Sequence, residues 1–146
     1  MKRINFIKVA VFSLDTMDMC IFCKIVKGEI PCYKIFEDKD FLSFLDIRPT
    51  NQGHLLVIPK KHYRWVWDVQ ENYSLPCNKV AQALKKAFHT DYVVSFVMGD
   101  EVHHAHIHLV PRFKDDGHGG LINLKNIKQF SAEEMKGIAE KIKKYL

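Results

Sequence analysis

The chain has 146 residues, 47% of them hydrophobic and 27% charged, with a formal charge of +5. That length and balance suit one soluble globular domain with a real core. No apolar run approaches the roughly 20 residues that span a bilayer, and the charge is mild for a nucleic-acid binder and equally suited to an enzyme for anionic phosphates.

Residues 1 to 18 read as a peripheral N-terminal extension. Its apolar core is interrupted by Lys8 and closed by Asp15, with no convincing cleavage site, so it does not read as a secretion signal. Met17 and Met19 are alternative starts. A cytoplasmic setting follows as the expectation, and with it reduced thiols at Cys20, Cys23, Cys32 and Cys77.

Residues 19 to 146 carry the domain. CIFCKIVKGEIP (20 to 31) is a short knuckle that stops at Gly28 and Pro31. The runs 33 to 37 and 41 to 45 flank the polar turn 37 to 40 and predict a β-hairpin. A Pro-Asn-Gly loop at 48 to 53 precedes a strand at 54 to 58, ended by Pro59. Residues 63 to 73 are aromatic-rich and fit no single element. Pro76 starts a helix whose Val80, Leu84, Ala87 and Phe88 repeat at helical spacing. A strand follows at 92 to 98, then a histidine-bearing strand at 104 to 110 and a Gly-rich loop at 115 to 120. Ser131 with Glu134 forms a capping box for a last helix with Met135, Ile138, Ala139 and Ile142 on its apolar face. Five short strands and two main helices predict an α+β domain on an antiparallel sheet.

The histidine strand is the most informative segment. His104, His106 and His108 alternate with Ala105, Ile107 and Leu109, which puts the imidazoles on one face and apolar groups on the other. With 8 histidines in the chain, such a triplet has a chance expectation of roughly 0.02. Such a histidine face reads as functional rather than as chance or a surface patch. Taken alone, His54 is as readily a core histidine, Asp46 a turn-capping carboxylate, and the Cys20-x-x-Cys23 pair either a thioredoxin-like or a metal motif.

HAHIHLV (104 to 110) resembles the H-φ-H-φ-H-φ-φ signature of the histidine triad (HIT) superfamily. CIFCKIVKGEIP and FLDIRPTNQGHLLVIPKKH resemble the opening half of its Hint-type branch, and the three blocks stand in family order over residues 19 to 113. The resemblance implies a HIT-like fold, a homodimer joined at sheet edges, and a purine nucleotide substrate attacked at its α-phosphate. It assigns the nucleophile to His106, with His108 and His54 assisting, and ribose recognition to Asp46 beside Ile47. Phe22 would help wall the base. Cys20, Cys23, His62 and His104 match the ligands of a structural zinc in relatives, two thiolates with two imidazoles.

One block departs from the family. Where relatives carry amide and hydroxyl donors before the triad, this chain has Met98-Gly99-Asp100-Glu101-Val102-His103. Ionised Asp100 and Glu101 repel phosphate. Arg112, Lys114 and His118 are the cations available to compensate, with Arg112 expected on the nucleotide. His103 is expected on the face opposite the triad. The leading expectation is therefore a nucleotide hydrolase or phosphoramidase working through a nucleotidyl-histidine. The alternatives are a dinucleoside polyphosphate hydrolase and a nucleotide-binding module with weakened turnover. Binding to nucleic acid or a membrane is not expected.

Overall fold

The two central strands are apolar on both sides, and that decides the architecture. β2 (Phe41–Leu45) and β3 (Leu55–Pro59) are buried at every position, so each face of the sheet needs a cover. The computed structural model describes residues 17–146, so the expectation of a peripheral extension falls almost wholly outside the described residues. Within them, β1 (Lys34–Glu37), β2, β3, β4 (Val93–Val97) and β5 (Ile107–Pro111) form one antiparallel sheet in the order β1-β2-β3-β5-β4.

The period-two pattern sorts side chains between the faces. Leu45, Leu55, Val57 and Leu109 pack on one side under two long helices. These are α2 (Ser74–Phe88) and α3 (Ala132–Lys143), with α1 reserved for the short helix Ile21–Val26. Leu42, Phe44, Leu56 and Ile58 pack on the other side against Phe22 of α1. The helix positions marked by spacing, Val80, Leu84, Ala87 and Phe88 on α2 and Met135, Ile138, Ala139 and Ile142 on α3, are all buried. The capping box at Ser131 and Glu134 forms as the sequence indicates.

The hairpin closes through Asp38, whose Oδ1 accepts from the Asp40 and Phe41 amides at 2.8 and 2.7 Å. Residues 63 to 73 contain only a 3-10 turn, Val66–Asp68. Helix α2 starts two residues before Pro76, where the Asn72 side chain accepts from the Ser74 amide. The histidine strand is shorter than expected, beginning at Ile107 rather than 104. The His104 carbonyl is taken by the His106 ring at 2.6 Å, and the Ala105 amide donates to Tyr63 at 2.7 Å, so neither joins the ladder. Alternation still holds through this stretch, since His104 and His106 are buried while His103 is exposed.

Gly53 sits where the loop enters β3, with φ +83°. A Cβ there would lie 2.5 Å from Phe88 Cε2 of α2. The glycine therefore supplies both the left-handed turn and the room for α2 to press against the start of β3, next to His54.

Candidate active site

Beyond β2 the chain turns out of the sheet, and Asp46 and Ile47 reach the edge of a cleft of about 350 Å³. Such a volume suits one small molecule. His54, His106 and His108 line it from the sheet, Phe22 and Ile25 from α1, and the 98–102 segment from the loop before the triad. Aromatic packing holds the rings. Phe22 meets His106 edge to face at 5.3 Å, and Phe96 of β4 stacks on His108 at 4.5 Å and 9°.

Hydrogen-bond partners decide which ring nitrogen carries each proton. The Pro59 carbonyl can only accept, and it lies 2.8 Å from His104 Nε2, so that nitrogen donates and Nδ1 keeps its lone pair. The His104 carbonyl accepts from His106 Nδ1 at 2.6 Å, which leaves His106 Nε2 unprotonated. From the other direction, the Thr50 amide donates to His54 Nδ1 at 3.1 Å. A neutral His54 then has its proton on Nε2 and donates it to His108 Nδ1 at 2.9 Å. His108 is left with a free N–H at Nε2. The backbone of Pro59, His104 and Thr50 thus sets the protons of four histidines.

Burial keeps these rings neutral. It pushes His54 down to about 4 and His104 to about 4. His108 goes to about 3 through burial first and then the neighbouring His54 and His106 rings. His106 is lowered by burial, with its bond to the His104 carbonyl opposing. A neutral His106 with a lone pair on Nε2 is a competent nucleophile.

Asp46 stands beside this chain. Its Oδ1 accepts from the Arg48 amide at 2.8 Å, and Oδ2 lies 3.6 Å from His54 Nε2 and 3.9 Å from His108 Nδ1. The three groups are close enough to suggest a cation site. However, His54 Nε2 holds the proton it gives to His108 and has no lone pair for a metal. The His54–His108 hydrogen bond forms a relay, with the Asp46 carboxylate beside it.

The second donor cluster fits a metal. Cys20, Cys23, His62 and His104 offer ligand atoms all within 4.8 Å of one another. Cys23 Sγ is 3.2 Å from His62 Nδ1 and 3.5 Å from His104 Nδ1, and Cys20 Sγ is 3.5 Å from His104 Nδ1. Ligands of tetrahedral zinc, with Zn–S near 2.3 Å and Zn–N near 2.0 Å, stand about 3.5 Å apart. The Pro59 bond turns the His104 lone pair toward the thiols, the orienting contact expected behind a metal-bound histidine. Without metal, burial pushes the Cys23 thiol up to about 12, so loading the site must expel a proton.

Arg112 is not brought to the cleft. It is buried, its Nε and Nη2 bind Asp116 at 2.6 and 3.2 Å, and Nη2 also donates to the Gly119 carbonyl at 3.0 Å. Its guanidinium is spent on closing the loop after β5, and it holds the Asp116 carboxyl well below its usual range. Lys114 is exposed, and the His118 ring is fixed by Thr50 and Asn123. Of the two acidic residues before the triad, Glu101 pairs with Arg48 at 3.6 Å, and Asp100 lines the cleft. Gly99 between them and β4 is required, because a Cβ would lie 2.6 Å from the Trp65 ring.

Thr50 and Phe96 went unnoticed in the sequence. Phe96 was recoverable in principle, since it faces His108 in the β4/β5 register. Thr50 acts through its amide and its Oγ1, 3.3 Å from His54 Nδ1, and only the fold brings them to that ring.

The chain belongs to the HIT family: the HIT domain model matches residues 27–115. It is 43% identical over 108 residues to the adenosine 5′-monophosphoramidase of Saccharomyces cerevisiae, covering 70% of this chain and 67% of that one. A HIT-like protein of Bartonella henselae, described as involved in cell-cycle regulation, superposes with a TM-score of 0.72 at 33% identity, over 87% of this chain and 96% of that one. A zinc-bound histidine triad family protein of Mycobacterium smegmatis superposes with a TM-score of 0.68 at 27% identity, over 88% of this chain and 94% of the other. The fold is that of the family.

Proposed function

We propose that the protein is a nucleotide phosphoramidase that attacks the α-phosphate with His106 Nε2. The observation that carries this reading is the forced tautomer of His106, an unprotonated Nε2 lining a cleft of nucleoside size. In the first step the Nε2–P bond forms as the bond to the leaving nitrogen breaks. The leaving nitrogen takes a proton from solvent before that bond breaks, so it departs as a neutral amine. Water then displaces His106 from phosphorus, gives up a proton to solvent, and releases the nucleoside monophosphate. The His108 Nε2–H stabilises charge on the phosphate oxygens in both steps. Asp46 accepts hydrogen bonds from the ribose hydroxyls, and Ile47 and Phe22 flank the base.

Cys20, Cys23, His62 and His104 would hold a structural zinc, which ties α1 to the histidine segment and stabilises the fold. A second copy of the chain would pair along β4, an edge strand whose Val93–Val97 stretch is half exposed. Among the described residues no helix is long and apolar enough to cross a membrane.

Asp100 at the cleft favours a second reading, a nucleotide-binding module whose acidic loop slows turnover. Hydrolysis of adenosine 5′-phosphoramidate by wild type and by folded His106→Ala separates the two. The enzyme reading expects turnover that drops roughly a thousandfold or more in the variant. Tight binding of adenosine monophosphate with no wild-type turnover contradicts it and favours the module.

A further inference from the structure

The segment after β5 has no regular structure until α3, yet it is pinned along its length. His118 Nε2–H donates to the Thr50 carbonyl at 2.9 Å, and His118 Nδ1 accepts from the Asn123 amide at 3.1 Å. The Lys128 amide donates to the Pro49 carbonyl at 2.7 Å, and Lys128 Nζ to the Asp116 carbonyl at 3.0 Å. Asn126 Nδ2 reaches the Gly117 carbonyl at 3.1 Å. Asp116 is itself anchored by Arg112 and by Asn51 Nδ2 at 2.9 Å. The strap of residues 118 to 128 is thereby fastened to the 49–51 loop, whose Thr50 also sets the His54 proton.

Four of its side chains are apolar and stand clear of both cores: Leu121, Ile122, Leu124 and Ile127. Leu124 and Ile127 line the cleft that holds His106, whereas Ile122 and Leu121, the latter 86% exposed, do not. Leu124 is 41% exposed and Ile47, which lines the same cleft, 79%. Apolar groups held out on a tethered segment around a cleft are left for a ligand to cover. The polar chemistry of the cleft lies at the histidines and Asp46, so the part of a nucleotide that needs an apolar wall is its base.

We propose that the strap of residues 118 to 128 forms one wall of the nucleobase subsite, with Leu124 and Ile127 touching the base. This rests on the nucleotide reading given above. It makes the strap, outside the 27–115 family match, a determinant of which nucleotides bind.

Calorimetric binding of adenosine monophosphate and of ribose 5-phosphate, which lacks the base, tests it on the full chain. Leu124→Ala weakens adenosine monophosphate roughly five- to tenfold, the loss of one partly covered leucine contact. It leaves ribose 5-phosphate unchanged. Ile127→Ala does the same, and Leu121→Ala on the same strap changes neither ligand. Unaltered adenosine monophosphate binding in both cleft variants overturns the inference, as does an equal loss of both ligands. Wild type binding ribose 5-phosphate as tightly as adenosine monophosphate also overturns it. Wild type binding neither ligand overturns the nucleotide reading as well.

Discussion

Three backbone groups, the Pro59 and His104 carbonyls and the Thr50 amide, hold the histidine protons in place. The Pro59 carbonyl fixes His104, the His104 carbonyl fixes His106, and the Thr50 amide fixes His54 and through it His108. Backbone groups cannot change their donor or acceptor character, so the tautomers persist whatever side chains evolve nearby. Gly53 belongs to the same scale, because it lets the chain turn into His54 under α2. Gly53→Ala should destabilise the fold by about 2 kcal/mol or more, through the left-handed backbone and the clash with Phe88. Urea unfolding would read this as a lower midpoint, and an unchanged midpoint would contradict it. That Asp46, His54, His106 and His108 share one cleft and Cys20, Cys23, His62 and His104 one cluster was to be expected from the family resemblance, since spacing alone singles out only the triad and the C-x-x-C pair. The spent state of Arg112 was not, since only the folded loop brings Asp116 beneath it.

At the scale of elements, α1 is the piece whose position depends most on chemistry rather than packing. It is six residues long, has no side-chain cap, and covers one face of the sheet with Phe22, Ile25 and Val26. Helices this short do not hold themselves. A metal bound by Cys20 and Cys23 would clamp it to His62 and His104 on separate segments. Purified protein should therefore carry one equivalent of zinc per chain by elemental analysis, and Cys23→Ser should carry none and unfold at lower temperature. Full zinc occupancy in that variant would contradict the ligand set. The strands and long helices were readable from period and capping. The histidine strand was overextended because its first residues follow the strand period while their backbone bonds go elsewhere.

Across the whole molecule, one face of the sheet is a conventional apolar core and the other is shared with buried, neutral imidazoles. That division ties stability to pH. In the unfolded chain His54 and His108 take up protons near 6.5, whereas burial holds them off to about 4 and about 3 in the fold. Between those values the unfolded chain binds more protons, so stability is complete above roughly pH 6.5 and falls as the pH drops below it. Urea midpoints should thus decline from pH 7.5 to pH 5, and His108→Gln should flatten the decline. A midpoint that holds level across that range would contradict buried neutral histidines. The two-faced sheet was predictable from the apolar strands, but the use of one face for chemistry came only from the resemblance and the resolved side chains.

The most direct test of the proton arrangement is long-range nitrogen–proton NMR of the histidine rings at pH 7. The account predicts a proton on Nδ1 and a free Nε2 in His106, and protons on Nε2 in His54, His104 and His108. A His106 protonated on Nε2, or rings of the relay found as imidazolium, would contradict it.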